Sequence, residues 1–141
     1  MTFLGIDPGV SGGVAFITPE GHGAAKMPDT VQDVYNLIRH YKADGGTFAL
    51  LESVHSSPAM GVVSAFTFGK GFGRLEMALT ALEVPWEYIS PQKWQKALSC
   101  LTGGDKNVSK AKAQQLFPGT KITHAIADAL LIAEYARRTH V

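Results

Sequence analysis

Apolar residues fall into short β-like runs at the start of the chain and recur at helical spacing over most of the remainder. Residues 2–6 are one such run, halted by Pro8-Gly9 and Ser11-Gly12-Gly13, which turn a chain. Residues 14–18 predict a second strand, 19–21 a turn and 22–27 a third strand, a meander with tight glycine-bearing connections. From Thr30, a residue suited to capping a helix, Val31, Val34, Tyr35, Ile38 and Tyr41 share one helical face until Gly45-Gly46. Residues 47–54 are apolar and β-rich but contain Glu52. A long helix is predicted over 62–82, interrupted by Gly69, Gly71 and Gly73, with Pro85 as its stop. Residues 86–89 predict a fifth strand, 91–98 and 108–117 two helices, and 123–140 a last helix.

Three strands followed by helix-connected strands predict an α/β fold of ribonuclease H-like order. Its five-stranded mixed sheet is antiparallel over the first three strands, parallel afterwards, and flanked by helices. The 141 residues suit one nuclease-sized domain, 1–141, with a core of its own. No apolar run approaches the length of a membrane span, roughly eighteen residues. The opening Met1–Asp7 stretch carries no basic leader, and the single cysteine, Cys100, fits a reducing compartment, so the expected location is cytoplasmic. The net charge of +1 is uneven, at −4 over residues 1–89 and +5 over 90–141. A basic C-terminal half suits phosphate binding, although ordinary solvated helix faces read the same way.

Three positions suggest chemistry. Asp7 ends the first apolar run, where it could equally be a turn aspartate ahead of Pro8-Gly9. Glu52 lies in what should be a buried central strand, where an unpaired carboxylate is costly. His124 and Asp128 are four residues apart, hence on one face of the last helix, with Ala125, Ala127 and Ala129 permitting close packing. Alone, that pair reads as a side-chain hydrogen bond. Together, neighbouring strand ends would bring Asp7 and Glu52 close, and the helix would add His124 and Asp128. Crowded carboxylates ionise with difficulty unless divalent cations neutralise them. The donor set suits two ions, Mg²⁺ or Mn²⁺, with Asp7 between them: one lowers the pKa of an attacking water, the other stabilises a leaving 3′-oxygen. Lys106 and Lys110 flank a helix start, a natural phosphate site. Gly69-Lys70-Gly71-Phe72-Gly73 lacks the setting of a phosphate loop. Its glycines are expected to admit a close neighbour or a twin subunit, with Phe66, Phe68 and Phe72 as core or dimer contacts.

The run Gly5-Ile6-Asp7-Pro8-Gly9-Val10-Ser11-Gly12-Gly13-Val14-Ala15 resembles the opening strand of the RuvC family of Holliday-junction resolvases. Leu51-Glu52-Ser53-Val54 resembles that family's second acidic motif, and Ala127-Asp128-Ala129-Leu130-Leu131-Ile132-Ala133 its terminal-helix motif. Residues 61–69 and Ser90-Pro91-Gln92-Lys93-Trp94 are similar to compact RuvC-like proteins of phages and prophages. The resemblance implies a crossover junction endonuclease, dimeric, nicking four-way and other branched DNA with Asp7, Glu52, His124 and Asp128 as catalytic and metal-holding residues. It also implies a DNA contact for His55, which stands where the family carries an aromatic side chain at the junction centre, and lysines such as Lys106 and Lys110 on DNA. Two departures bear on metal preference. His124 replaces the family's third acid, and it lies four rather than three residues before Asp128.

Other readings remain open at this level. An ATPase of the actin–hexokinase class also opens with a strand, Asp-x-Gly and a glycine turn, but needs a second domain that 141 residues do not supply. A ribonuclease H-like nuclease on other nucleic acids, or a non-catalytic DNA-binding scaffold, would share the fold. The intact Asp7, Glu52 and Asp128 argue against the scaffold.

Overall fold

The computed structural model describes residues 1–54 and 58–140, so His55 lies outside the described residues. The elements run β1 (Thr2–Asp7), β2 (Gly13–Thr18), β3 (Gly21–Lys26), α1 (Val31–Tyr41), β4 (Thr47–Glu52), α2 (Val62–Ala81), β5 (Trp86–Ile89), α3 (Pro91–Ala97), α4 (Lys106–Leu116) and α5 (His124–Thr139). One five-stranded sheet has the order β3-β2-β1-β4-β5. β1 pairs antiparallel with β2, as does β2 with β3, whereas β4 pairs parallel with β1 and with β5. The mixed ribonuclease H-like sheet expected from the sequence is therefore present. No described helix is long and apolar enough to cross a membrane.

Period-two alternation in the central strands sorts their side chains between two cores. Leu4 and Ile6 of β1 and Ala49 and Leu51 of β4 pack with Val34 and Ile38 of α1 and Leu75 and Leu79 of α2. Phe48 and Leu50 of β4 point the other way, into a core with Trp94, Ala113 and the apolar face of α5. Asp7 and Glu52 continue that second set, so both carboxylates emerge on the face covered by α3, α4 and α5.

α5 lies unusually close to this face because two strand positions lack a side chain. A Cβ on Gly5 would overlap the Ala129 carbonyl oxygen and the Ala133 nitrogen. One on Gly13 would stand 2.6 Å from the Ala125 carbonyl oxygen. Ala125, Ala129 and Ala133 follow one another at helical spacing, so a small-residue stripe on α5 lies directly on β1 and β2. The sequence placed the close-packing alanines at 125, 127 and 129; the stripe against the strands is 125, 129 and 133.

Some boundaries differ from expectation. α2 continues unbroken through Gly69, Gly71 and Gly73, and it ends before Pro85 for a reason of its own. Glu83 takes φ 57°, its N–H donates to the Thr80 carbonyl at 3.1 Å, and the Val84 N–H donates to the Leu79 carbonyl at 3.0 Å. This is the Schellman stop, with Glu where glycine is usual, sealed by apolar contact of Leu79 and Val84 in one core. α4 begins at Lys106, two residues before the expected start, because the Asp105 side chain caps it by accepting the Asn107 N–H at 2.9 Å.

Candidate active site

The parallel pairing of β1 with β4 runs up to Ile6 opposite Leu51, so the next residues, Asp7 and Glu52, end their strands side by side. Glu52 is buried, at 6% exposure, while Asp7 is partly buried. The close seat of α5 on Gly5 and Gly13 brings its Asp128 to the same end of the sheet. Burial pushes the Asp7 carboxyl up to about 8, and the charges of Glu52 and Asp128 add to that effect, against relief from Lys106. Glu52 is raised to about 7, chiefly by burial, with the Trp94 hydrogen bond and Asp7 opposing and the Asp128 charge reinforcing the rise. Asp128 is also raised by burial, offset by the neighbouring Ser109 hydroxyl and by the nearby Lys106 and His124 charges. The two neighbouring carboxyls act on each other in opposite senses, raising Asp7 and lowering Glu52, as expected where crowded acids do not ionise together.

Three of the four acid-site positions anticipated from the sequence therefore meet electrostatically: Asp7, Glu52 and Asp128. His124, the first residue of α5, is exposed, and its charge acts on Asp128. Lys106, at the start of α4, faces the carboxylates closely enough to lower both Asp7 and Asp128. Lys110 lies one turn further along α4. Among the described residues, no group of three or more His, Cys, Asp or Glu side chains meets the spacing of a formed metal cluster.

The donor set nonetheless fits a hard divalent cation. It is made of carboxylate oxygens that burial and mutual repulsion keep from ionising, with Lys106 as a partial counter-charge. A divalent ion would favour the ionised carboxylates over their protonated forms and neutralise what Lys106 leaves uncompensated.

Two neighbours of the acids were not assigned roles by the sequence. Trp94 of α3 donates its indole N–H to Glu52 Oε2 at 2.7 Å. Ser109 of α4 is buried beside Asp128. Nothing local marks either one, since each partner lies on a distant segment.

No protein-family model and no curated protein sequence matches the chain. Its structure, however, is similar to that of Thermus thermophilus RuvC. The TM-score is 0.67 at 17% identity, covering 98% of this chain and 96% of that one. The chain has the RuvC fold. T. thermophilus RuvC in complex with Holliday junction substrate is similar as well, with a TM-score of 0.66 and 16% identity over 99% of this chain and 96% of that one. The RuvC fold thus spans nearly the whole chain, and the three acids lie within it.

Proposed function

We propose that this chain is a divalent-cation-dependent endonuclease that nicks four-way DNA junctions and related branched DNA. One observation carries the reading: Asp7, Glu52 and Asp128 converge at one end of a RuvC-fold sheet, each held above its ordinary pKa by burial. The likeness to T. thermophilus RuvC in complex with Holliday junction substrate supports four-way junctions as the substrate class.

In this reading Asp7, Glu52 and Asp128 hold Mg²⁺ or Mn²⁺, two ions per site, with His124 as a further ligand from the start of α5. The ions, when bound, activate water and stabilise a leaving 3′-oxygen. Asp7, the acid raised furthest, is the group whose proton a bound cation would replace. Ser109 orients Asp128, and Lys106 offers a positive charge to a scissile phosphate beside the acids. Lys110 and the basic helices after residue 90 bind the flanking phosphates. His55 contacts the junction centre.

Two nicks on symmetry-related strands call for two sites, so the working form is a two-fold dimer. α2 supports this assignment. Val62, Phe66, Gly69, Gly73 and Met77 lie at helical spacing along one face, with Val62 at 87% and Phe66 at 71% exposure. Among the described residues, nothing beyond α2's own backbone stands within 4 Å of a Cβ placed on Gly69, Gly71 or Gly73, so these glycines serve no close approach there. Phe72, by contrast, packs against the core.

The test of the function is initial nicking of a labelled synthetic four-way junction beside linear duplex and RNA–DNA hybrid of the same sequence, with Mg²⁺ or EDTA. Metal-dependent nicking confined to the junction supports the reading, whereas equal cleavage of the hybrid assigns the site to another nucleic acid.

Two further outcomes are expected. Lys106→Ala and Lys110→Ala should each weaken junction binding several-fold and lower the slope of log affinity against log salt by close to one contact. Of the two, only Lys106→Ala should also raise the pH midpoint of cleavage, because Lys106 is the lysine whose charge relieves both Asp7 and Asp128. An unchanged salt slope in either variant places that lysine away from DNA. His124→Asp exchanges an imidazole, suited to transition metals, for an oxygen ligand, and should shift the preferred ion from Mn²⁺ toward Mg²⁺. Superimposable rate-against-metal curves for variant and wild type would make His124 a bystander.

A further inference from the structure

We infer that Trp94 selects the size of the bound cation by occupying one oxygen of Glu52, an inference that rests on the metal-binding reading above. Trp94 is the largest fully buried side chain of the described residues. Its only polar atom is an N–H donor, which needs a single acceptor. That acceptor is Oε2 of Glu52, at 2.7 Å. A backbone carbonyl would satisfy a core indole equally well; here the partner is a carboxylate at the acid cluster.

The placement is held from both sides. Glu52 pairs with Ile89 across β4 and β5. Immediately after it, the Ser53 N–H and hydroxyl both donate to the Ile89 carbonyl, at 2.8 and 3.4 Å. One residue beyond Ile89, Ser90 caps α3 by accepting the Lys93 N–H at 3.3 Å, and Pro91 opens the helix. The Leu98 N–H then donates to the Trp94 carbonyl at 3.0 Å, anchoring the far side of the tryptophan. A short, fully bonded path therefore fixes the indole relative to the end of β4.

A carboxylate whose Oε2 is committed to an indole N–H has Oε1 to give to a cation. Mg²⁺ takes one oxygen per carboxylate in a strict octahedron, whereas Ca²⁺ is larger and accepts both oxygens of one carboxylate. Trp94 thus favours the smaller ion by withholding the second oxygen. It is a positioning residue: it touches Glu52, and acts on the ion through it.

The experiment is calorimetric titration of the full chain with Mg²⁺ and, separately, Ca²⁺, in wild type and Trp94→Phe. A second protein carries benzothienylalanine at position 94 in a Trp86→Phe background, exchanging only the indole N–H for sulfur and keeping the ring shape. In both, Mg²⁺ affinity should fall about tenfold while Ca²⁺ affinity holds or rises, so selectivity moves toward Ca²⁺. Equal loss for both ions, or no change in either, would overturn the inference while leaving a metal site that wild type demonstrably fills. Failure of wild type to bind either ion would overturn the metal reading and this inference with it.

Discussion

Gly5→Ala is expected to detach α5 from the sheet and cost at least about 3 kcal/mol of stability. The added methyl group would overlap the Ala129 carbonyl oxygen and the Ala133 nitrogen, which are backbone atoms of a buried helix and have no rotamer to yield. Relief requires α5 to lift, and α5 packs on β1, β2, β3 and β4. Set against a total stability of roughly 5–15 kcal/mol for a domain, the loss is large. The same displacement would carry Asp128 away from Asp7 and Glu52, so any residual folded protein should be inactive. Gly21→Ala is the control, because nothing stands within 4 Å of a Cβ there; it should change stability by no more than about 0.5 kcal/mol. Paired urea melts read both. Equal midpoints for the two variants would mean that α5 does not bear on β1 through backbone contact.

Asp7→Asn should stabilise the cation-free protein at alkaline pH and have little effect near pH 4. The folded pKa of Asp7 is about 8 against an ordinary 3.8, and that of Glu52 about 7 against 4.5. Between those limits the native chain holds protons that the unfolded chain has released, so its stability falls as pH rises through the window. The full contribution is present below the ordinary carboxylate range and is lost by about pH 8. Asparagine is neutral throughout and keeps an N–H donor for Glu52. The variant should therefore gain on the order of several kcal/mol over wild type at pH 8 in EDTA. Mg²⁺ should flatten the wild-type profile, because the cation takes the place of the proton. Thermal melts across pH, with EDTA or Mg²⁺, measure this; a difference between the proteins that does not vary with pH would contradict it.

The strand order and the acid positions were legible because they rest on local conflicts. Asp7 and Glu52 each interrupt an apolar strand, and a carboxylate in such a place needs a partner that only tertiary structure or a cation supplies. Helical spacing likewise placed His124 and Asp128 on one face. The role of Gly5 and Gly13 was not legible, since the helix that presses on them lies at the far end of the chain. Trp94 stood in a recognisable segment, yet nothing nearby in sequence names Glu52 as its acceptor. The end of α2 near residue 82 was legible, but its cause was read as Pro85, because Glu83 carries none of the glycine signal that usually marks a left-handed helix end. The early start of α4 had a signal in Asp105, whose capping role outweighs the glycines before it.

The most direct test of the central claim compares wild type and Asp7→Asn on one labelled four-way junction, measuring initial nicking rate and, in parallel, binding by gel shift. The account predicts that wild type nicks in Mg²⁺ but not in EDTA, and that Asp7→Asn does not nick in either. Both proteins should bind the junction with similar affinity, since affinity comes from the basic phosphate contacts. Cleavage by Asp7→Asn at near the wild-type rate, or undiminished wild-type cleavage in EDTA, would contradict it.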